Sequence, residues 1–228
     1  MILHAPIFRN VALRDIIGSL LFILVLLPFG GTAQEEGLKA WSDTALLGKA
    51  DAAKHLEYYS EEEKKIIFYI NLVRAEPVLF ERTLLKNYLK EQNIKADKWT
   101  KSLIKKLKEA ESLPMLEPRE DLYEAAKNHA QDMGQTGRTG HNSSDGVSYP
   151  DRIAPFVKIY ASINENCNYG LNNGLAIVID LLIDEGVPNF GHRRNILDVD
   201  ARFVGVSIQP HKKWQFNCVQ EFTGGLLK

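Results

Sequence analysis

The apolar positions of this chain keep helical spacing through its first half and strand-like alternation towards its end. Ile66, Ile67, Ile70 and Val73 fall on one helical face. Ser60-Glu61-Glu62-Glu63, just before them, has the form of a capping box, in which the serine accepts from an early N–H and Glu63 reaches back. A helix is therefore expected from 60 to about Arg74. Pro77 suits the first turn of a second helix, with Val78, Leu79, Leu84, Leu85 and Leu89 on its apolar side. A third amphipathic stretch runs from Asp97 to about Ser112 and turns Trp99, Leu103, Ile104 and Leu107 to one face. Its lysines lie mostly elsewhere and are diluted by Asp97, Glu109 and Glu111, which describes a solvated face rather than a basic docking patch. Pro118, Glu120 and Asp121 open a fourth helix. Its stripe of Leu122, Ala125, Ala126, His129, Ala130 and Met133 predicts close approach to another element, with His129 as a core-edge histidine.

Ile159 to Tyr169 then alternates and puts Ile163, Glu165, Cys167 and Tyr169 on one face. Asn172 or Asn173 caps a helix running through Ala176 and Leu182. Arg202–Gln209 and Trp214–Thr223 read as two strands joined by a turn at Pro210–Lys213. Helices first, one strand, a helix, then a hairpin describe an α+β fold with an antiparallel sheet covered by helices. Residues 34–59 show no firm period and read as a loose entry segment. If the strands carrying Cys167 and Cys218 are neighbours, a disulfide between them is expected. The alternative is two separate buried thiols.

The first 33 residues stand apart. Arg9 and Arg14 precede an apolar run from Ile16 to Leu27, followed by Pro28, Gly31 and Ala33, the pattern of a secretory signal peptide cut after Ala33. The run is shorter than the ~20 residues that span a bilayer. The expected product is a soluble protein, secreted or periplasmic, without a stable membrane anchor, in a compartment that permits disulfides. The chain has 228 residues, 45% hydrophobic and 25% charged, enough for one sizeable core. Its formal charge of −1 gives no reason to expect nucleic acid as a partner.

Four polar stretches hold the candidate chemistry: Gly140-His141 with Asp145-Gly146, Asn164-Glu165-Asn166, Asp184-Glu185-Gly186 and Gly191-His192-Arg193-Arg194. Two imidazoles with one or two carboxylates can hold a divalent metal, zinc first. They can equally form a hydrogen-bonded set without metal, in which a carboxylate raises a histidine's pKa and the pair relays protons. The metal candidates are His141, Glu165 and His192, with Asp184 and Glu185 as further cleft acids. Ser143 and Ser144 stand beside His141, as a nucleophile or as turn residues. Arg193 and Arg194 could bind an anion or pair with Asp151, Asp198 or Asp200. No residue is singled out as catalytic.

Several of these pieces, in this order, resemble the CAP superfamily of cysteine-rich secretory, antigen 5 and pathogenesis-related proteins in its bacterial SCP-like form. They are Ile70-Asn71-Leu72-Val73-Arg74, Ala125 to Met133, Gly140-His141 through Asp145-Gly146 and Asp151-Arg152-Ile153, Asn164-Glu165-Asn166, Gly191 to Leu197, and Val204-Gly205-Val206. The resemblance covers about residues 60–225 and implies a three-layer α-β-α sandwich with a central antiparallel sheet. It implies a cleft of two histidines and two acids, matched by His141, Glu165 and His192, with Asp184 or Glu185 as the fourth member. Residues 77–112 read as a helical insertion, and asparagine replaces the usual glycine before Glu165. The implied function is binding of a lipid-like molecule, another small ligand or a metal. A metal-dependent hydrolase or protease is the alternative. Neither ligand identity nor oligomeric state follows from the sequence.

Overall fold

The computed structural model describes residues 33–227, so the signal-peptide reading of 1–33 lies almost wholly outside the described residues. Helices α1 (Ala33–Leu38) and α2 (Thr44–Ala50) precede α3 (Glu61–Ala75). The stretch expected to be loose is thus ordered. Trp41, Ala50, Ala53 and Tyr59 are buried, and the Trp41 indole donates to Thr83 Oγ1 at 3.2 Å. Its anchors are isolated apolar residues rather than a periodic face, so periodicity could not reveal it.

The capping box of α3 forms as the sequence predicts. Glu63 does more than cap: while one oxygen accepts from Ser60 N at 2.7 Å, the other accepts from Ile208 N at 2.7 Å and Ser207 Oγ at 3.1 Å, fastening α3 to the sheet. Beyond α3 come α4 (Pro77–Phe80), a π-helical turn at Glu81–Leu85, α5 (Lys86–Glu91) and α6 (Lys98–Lys108), which Asp97 caps. Strand β1 is the two-residue Glu117–Pro118, so Pro118 belongs to a strand and not to the helix behind it. After β1 follow α7 (Glu120–Thr136), α8 (Tyr149–Ile153), β2 (Ile163–Tyr169), α9 (Gly174–Ile183, capped by Asn173), α10 (Gly191–Ile196), β3 (Phe203–His211) and β4 (Gln215–Thr223).

The sheet order is β1-β3-β4-β2, antiparallel except where β1 lies parallel to β3. Helix α7 covers one face, and α3 with α9 covers the other. This is the expected α+β sandwich. A Cβ on Gly205 of β3 would fall 2.1 Å from the Leu122 carbonyl carbon, so the small residue lets α7 lie close against the sheet. Two buried side chains of α3 tie distant loops. Asn71 donates to Ala50 O and Leu116 O and accepts from Leu116 N. Arg74 donates to the carbonyls of Pro114, Ile196, Asp198 and Ala201 at 2.8, 2.8, 2.9 and 3.3 Å. Burial pulls its pKa down to about 10.

The disulfide does not form. Strands β2 and β4 are indeed neighbours, but Cys167 stands opposite Val219 and Cys218 opposite Asn168. A one-residue offset sends the two thiols to opposite faces of the sheet. Cys167 packs against Ala126 and Ala130 of α7, and Cys218 packs in the core on the other side. Both are free and buried.

Candidate functional site

Strand β2 is an edge of the sheet, and two histidine–carboxylate pairs flank it. Helix α7 ends at Gly137, whose φ of 69° is the left-handed cap that glycine favours, and the loop beyond delivers His141. His141 Nδ1 lies 2.7 Å from Glu165 Oε1. Glu165 projects from β2 under α7 with its side chain 1% exposed, while His141 remains 45% exposed.

The second pair is built by the turn after α9. Asp184 ends α9 in the left-handed region, at φ 57°. Its Oδ1 lies 2.8 Å from His192 Nδ1, and its Oδ2 accepts the backbone N–H groups of His192 and Arg193 at 3.0 and 3.2 Å. A carboxylate satisfying the first N–H groups of α10 is the favourable charge for a helix start. Glu185, the other candidate acid, makes no ion pair with either imidazole. Amides join α10 to the strand: Asn195 Nδ2 donates to Glu165 O at 3.3 Å and to Asn166 Oδ1 at 2.8 Å, and Asn166 Nδ2 donates to His192 O at 3.2 Å.

Arg193 spends its guanidinium on protein groups and forms no ion pair with Asp151, Asp198 or Asp200. It is buried, donates to Leu182 O at 2.5 Å, Ile183 O at 2.8 Å and Ser102 Oγ at 3.0 Å, and lies over the Phe190 ring at 4.1 Å. It satisfies the carbonyl end of α9 and pins α6. Burial lowers its pKa to about 10.

Behind the first pair lies a buried polar cluster that the spacing did not reveal. Arg152 of α8 donates to Glu165 Oε2 at 2.5 Å and to Glu221 Oε1 at 3.1 Å. Glu221 stands directly across from Glu165 in the β2–β4 register. Burial, with Glu165 close by, pushes the Glu221 carboxyl well up. For Glu165, burial also raises the pKa, but the His141 bond and the nearby His129 and Arg152 outweigh it and hold the group below its ordinary range. His129 is fully part of this cluster. Its Nε2 donates to Gly140 O at 2.9 Å and lies 3.8 Å from Glu165 Oε1, and burial lowers its pKa. A histidine in an alanine-rich helical stripe was the available signal, and it equally describes a packed histidine. Ser144 donates its hydroxyl to Asp132, not to an imidazole.

One metal-type grouping follows from this geometry, beside the two oriented imidazoles. Both Nδ1 atoms face carboxylates, so in the neutral rings Nε2 of His141 and of His192 carries the available lone pair. Glu165 has one oxygen against His141 and the other against Arg152, so it orients His141. Under α7, His129, Glu165 and Cys167 offer ligand-type atoms within 4.8 Å of one another. A groove of about 870 Å³ opens beside α10, with Lys106, Glu109, Arg194 and Asp198 among its walls. No described helix is long and apolar enough to cross a membrane.

The structure is similar to three bacterial proteins: an extracellular protein containing an SCP domain from Bacillus anthracis (20% identity, TM-score 0.40, 63% of this chain and 39% of that one), an outer surface protein from Borrelia burgdorferi (19%, 0.42, 64% and 92%) and a cysteine-rich secretory protein from Staphylococcus aureus (16%, 0.37, 55% and 38%). The chain thus spans well under half the length of the first and third. No curated protein matches it. The model of the cysteine-rich secretory protein family, CAP, matches residues 69–222, from within α3 almost to the end of β4 and so across both histidine–carboxylate pairs. The chain belongs to the cysteine-rich secretory protein (CAP) family.

Proposed function

We propose that this domain is an exported ligand-binding module whose first ligand is a divalent metal of the zinc type, held in the cleft by Nε2 of His141 and Nε2 of His192. The observation that carries the reading is the matched pairing of both rings: Nδ1 of each meets a buried carboxylate, at 2.7 Å in one pair and 2.8 Å in the other. Metal-binding imidazoles are commonly oriented in this way, by a carboxylate that fixes the tautomer and raises the basicity of the outward nitrogen. Glu165 and Asp184 are then positioning groups, and the remaining coordination positions belong to water or to a second ligand. An ion suits the charged and amide-rich surroundings better than a lipid chain does, since buried charges and amides cost free energy against an apolar partner.

Zinc titration by calorimetry tests the reading on the wild type, His141→Ala and His192→Ala. The expected result is a zinc equivalent present in the wild type and missing from both variants. A stoichiometry unchanged in both removes the cleft as the site.

A further inference from the structure

A second constellation lies inside the protein, on the α7 face of the sheet. His129, Glu165 and Cys167 are all buried, and one ligand atom from each lies within 4.8 Å of the others. Two of them share the Gly140 carbonyl: His129 Nε2 donates to it at 2.9 Å, and the Cys167 thiol points to it at 3.7 Å. His129 Nε2 is also 3.8 Å from Glu165 Oε1. A tetrahedral zinc ion with bonds of about 2.0–2.3 Å separates its ligand atoms by roughly 3.3–3.7 Å. The separations of 2.9, 3.7 and 3.8 Å bracket that range, so small side-chain movements suffice to close the shell.

We infer that His129 Nε2, Glu165 Oε1, Cys167 Sγ and the Gly140 carbonyl oxygen form a closed site for a zinc-type ion, separate from the cleft. Nitrogen, sulfur and oxygen donors in a four-fold shell select zinc among common divalent ions. The proton balance is simple. The thiol proton leaves to solvent, and the imidazole proton moves from Nε2 to Nδ1, a buried atom that has no hydrogen-bond partner. The ion's two positive charges meet the thiolate and Glu165. Arg152 keeps Glu165 Oε2, and Glu221 faces the same guanidinium. His141 stays outside the shell, its Nδ1 hydrogen-bonded to Glu165 Oε1 and 3.7 Å from Cys167 Sγ. All four positions are filled by protein, which describes a structural ion tying α7, the 137–141 loop and β2 together.

Cobalt(II) alone, added to the full chain, separates this site from the cleft, because only this site contains sulfur. The wild type and His192→Ala are expected to develop a near-ultraviolet thiolate-to-cobalt charge-transfer band, with visible bands of a four-coordinate ion. Cys167→Ser is expected to lose the charge-transfer band and to bind cobalt at this site about 10-fold or more weakly. Near-ultraviolet circular dichroism checks its fold, and His129→Gln serves as the second variant if it does not fold. A folded wild type without a charge-transfer band overturns the inference even if cobalt binds in the cleft. A band that survives Cys167→Ser, or disappears in His192→Ala, overturns it as well.

Discussion

Asp184 and His192 form one unit: Oδ1 lies 2.8 Å from the ring's Nδ1, while Oδ2 accepts the backbone N–H groups of His192 and Arg193. One carboxylate therefore orients the imidazole and starts the helix that carries it. Asp184→Asn keeps the shape but removes the charge. It is expected to weaken zinc binding in the cleft by about 10- to 100-fold, and, because the amide offers one acceptor where the carboxylate uses two, near-ultraviolet circular dichroism checks that α10 stays in place. Calorimetry on the two forms reads the ratio. Unchanged affinity would reduce Asp184 to a helix cap.

Arg74 is a structural centre of the same region. Its guanidinium closes four carbonyls from two segments, Pro114 and the turn that follows α10. Arg74→Met fills the space but leaves those carbonyls unpaired. It is expected to destabilise by at least about 3 kcal/mol, read by urea unfolding. A loss below about 1 kcal/mol would show that water replaces the guanidinium.

Glu221 gives the fold a pH dependence. Burial raises its carboxyl above the unfolded value, so the folded state holds the proton more tightly. Its contribution is complete below the ordinary carboxylate range and is lost as pH rises through the raised folded value. The groups that face it, Glu165 and Arg152, remain in place in Glu221→Gln, which mimics the protonated acid. The variant is expected to gain stability relative to wild type as pH rises, in parallel urea titrations. A difference that does not change with pH contradicts a raised Glu221.

Gly205 is where α7 meets β3. Gly205→Ala drives a methyl against the backbone of Leu122 and Tyr123, whose nearest atoms lie 2.1 and 2.3 Å from an ideal Cβ. Backbone cannot give as a side chain can, so a loss of about 3 kcal/mol or more is expected in thermal or urea unfolding.

The thiols separate two readings of the sequence. With Cys167 and Cys218 on opposite faces, mass spectrometry is expected to give the same mass with and without reductant. A two-hydrogen difference would mean that the strands pair in another register.

Much of this fold was legible because apolar periodicity reports burial directly. Ile66 to Val73, the alanine stripe of α7 and the alternation around Glu165 each name a face. The disulfide was not legible, because alternation places Cys167 and Cys218 within their strands but not their register, and one residue of offset decides the outcome. The site was visible as His141, Glu165, His192 and a choice between two acids. The αL turn at Asp184 makes that choice, and its φ of 57° cannot be read from Asp184-Glu185-Gly186. Glu221 and Arg152 were silent as functional candidates because they join Glu165 through strand pairing and a distant short helix.

A zinc-soaked crystal of the full chain tests the cleft most directly, through its anomalous difference map. The expected result is a peak touching Nε2 of both His141 and His192, with Glu165 and Asp184 still on the Nδ1 sides. A map without density between those two nitrogens, at a zinc concentration that saturates the protein in solution, contradicts the proposed function.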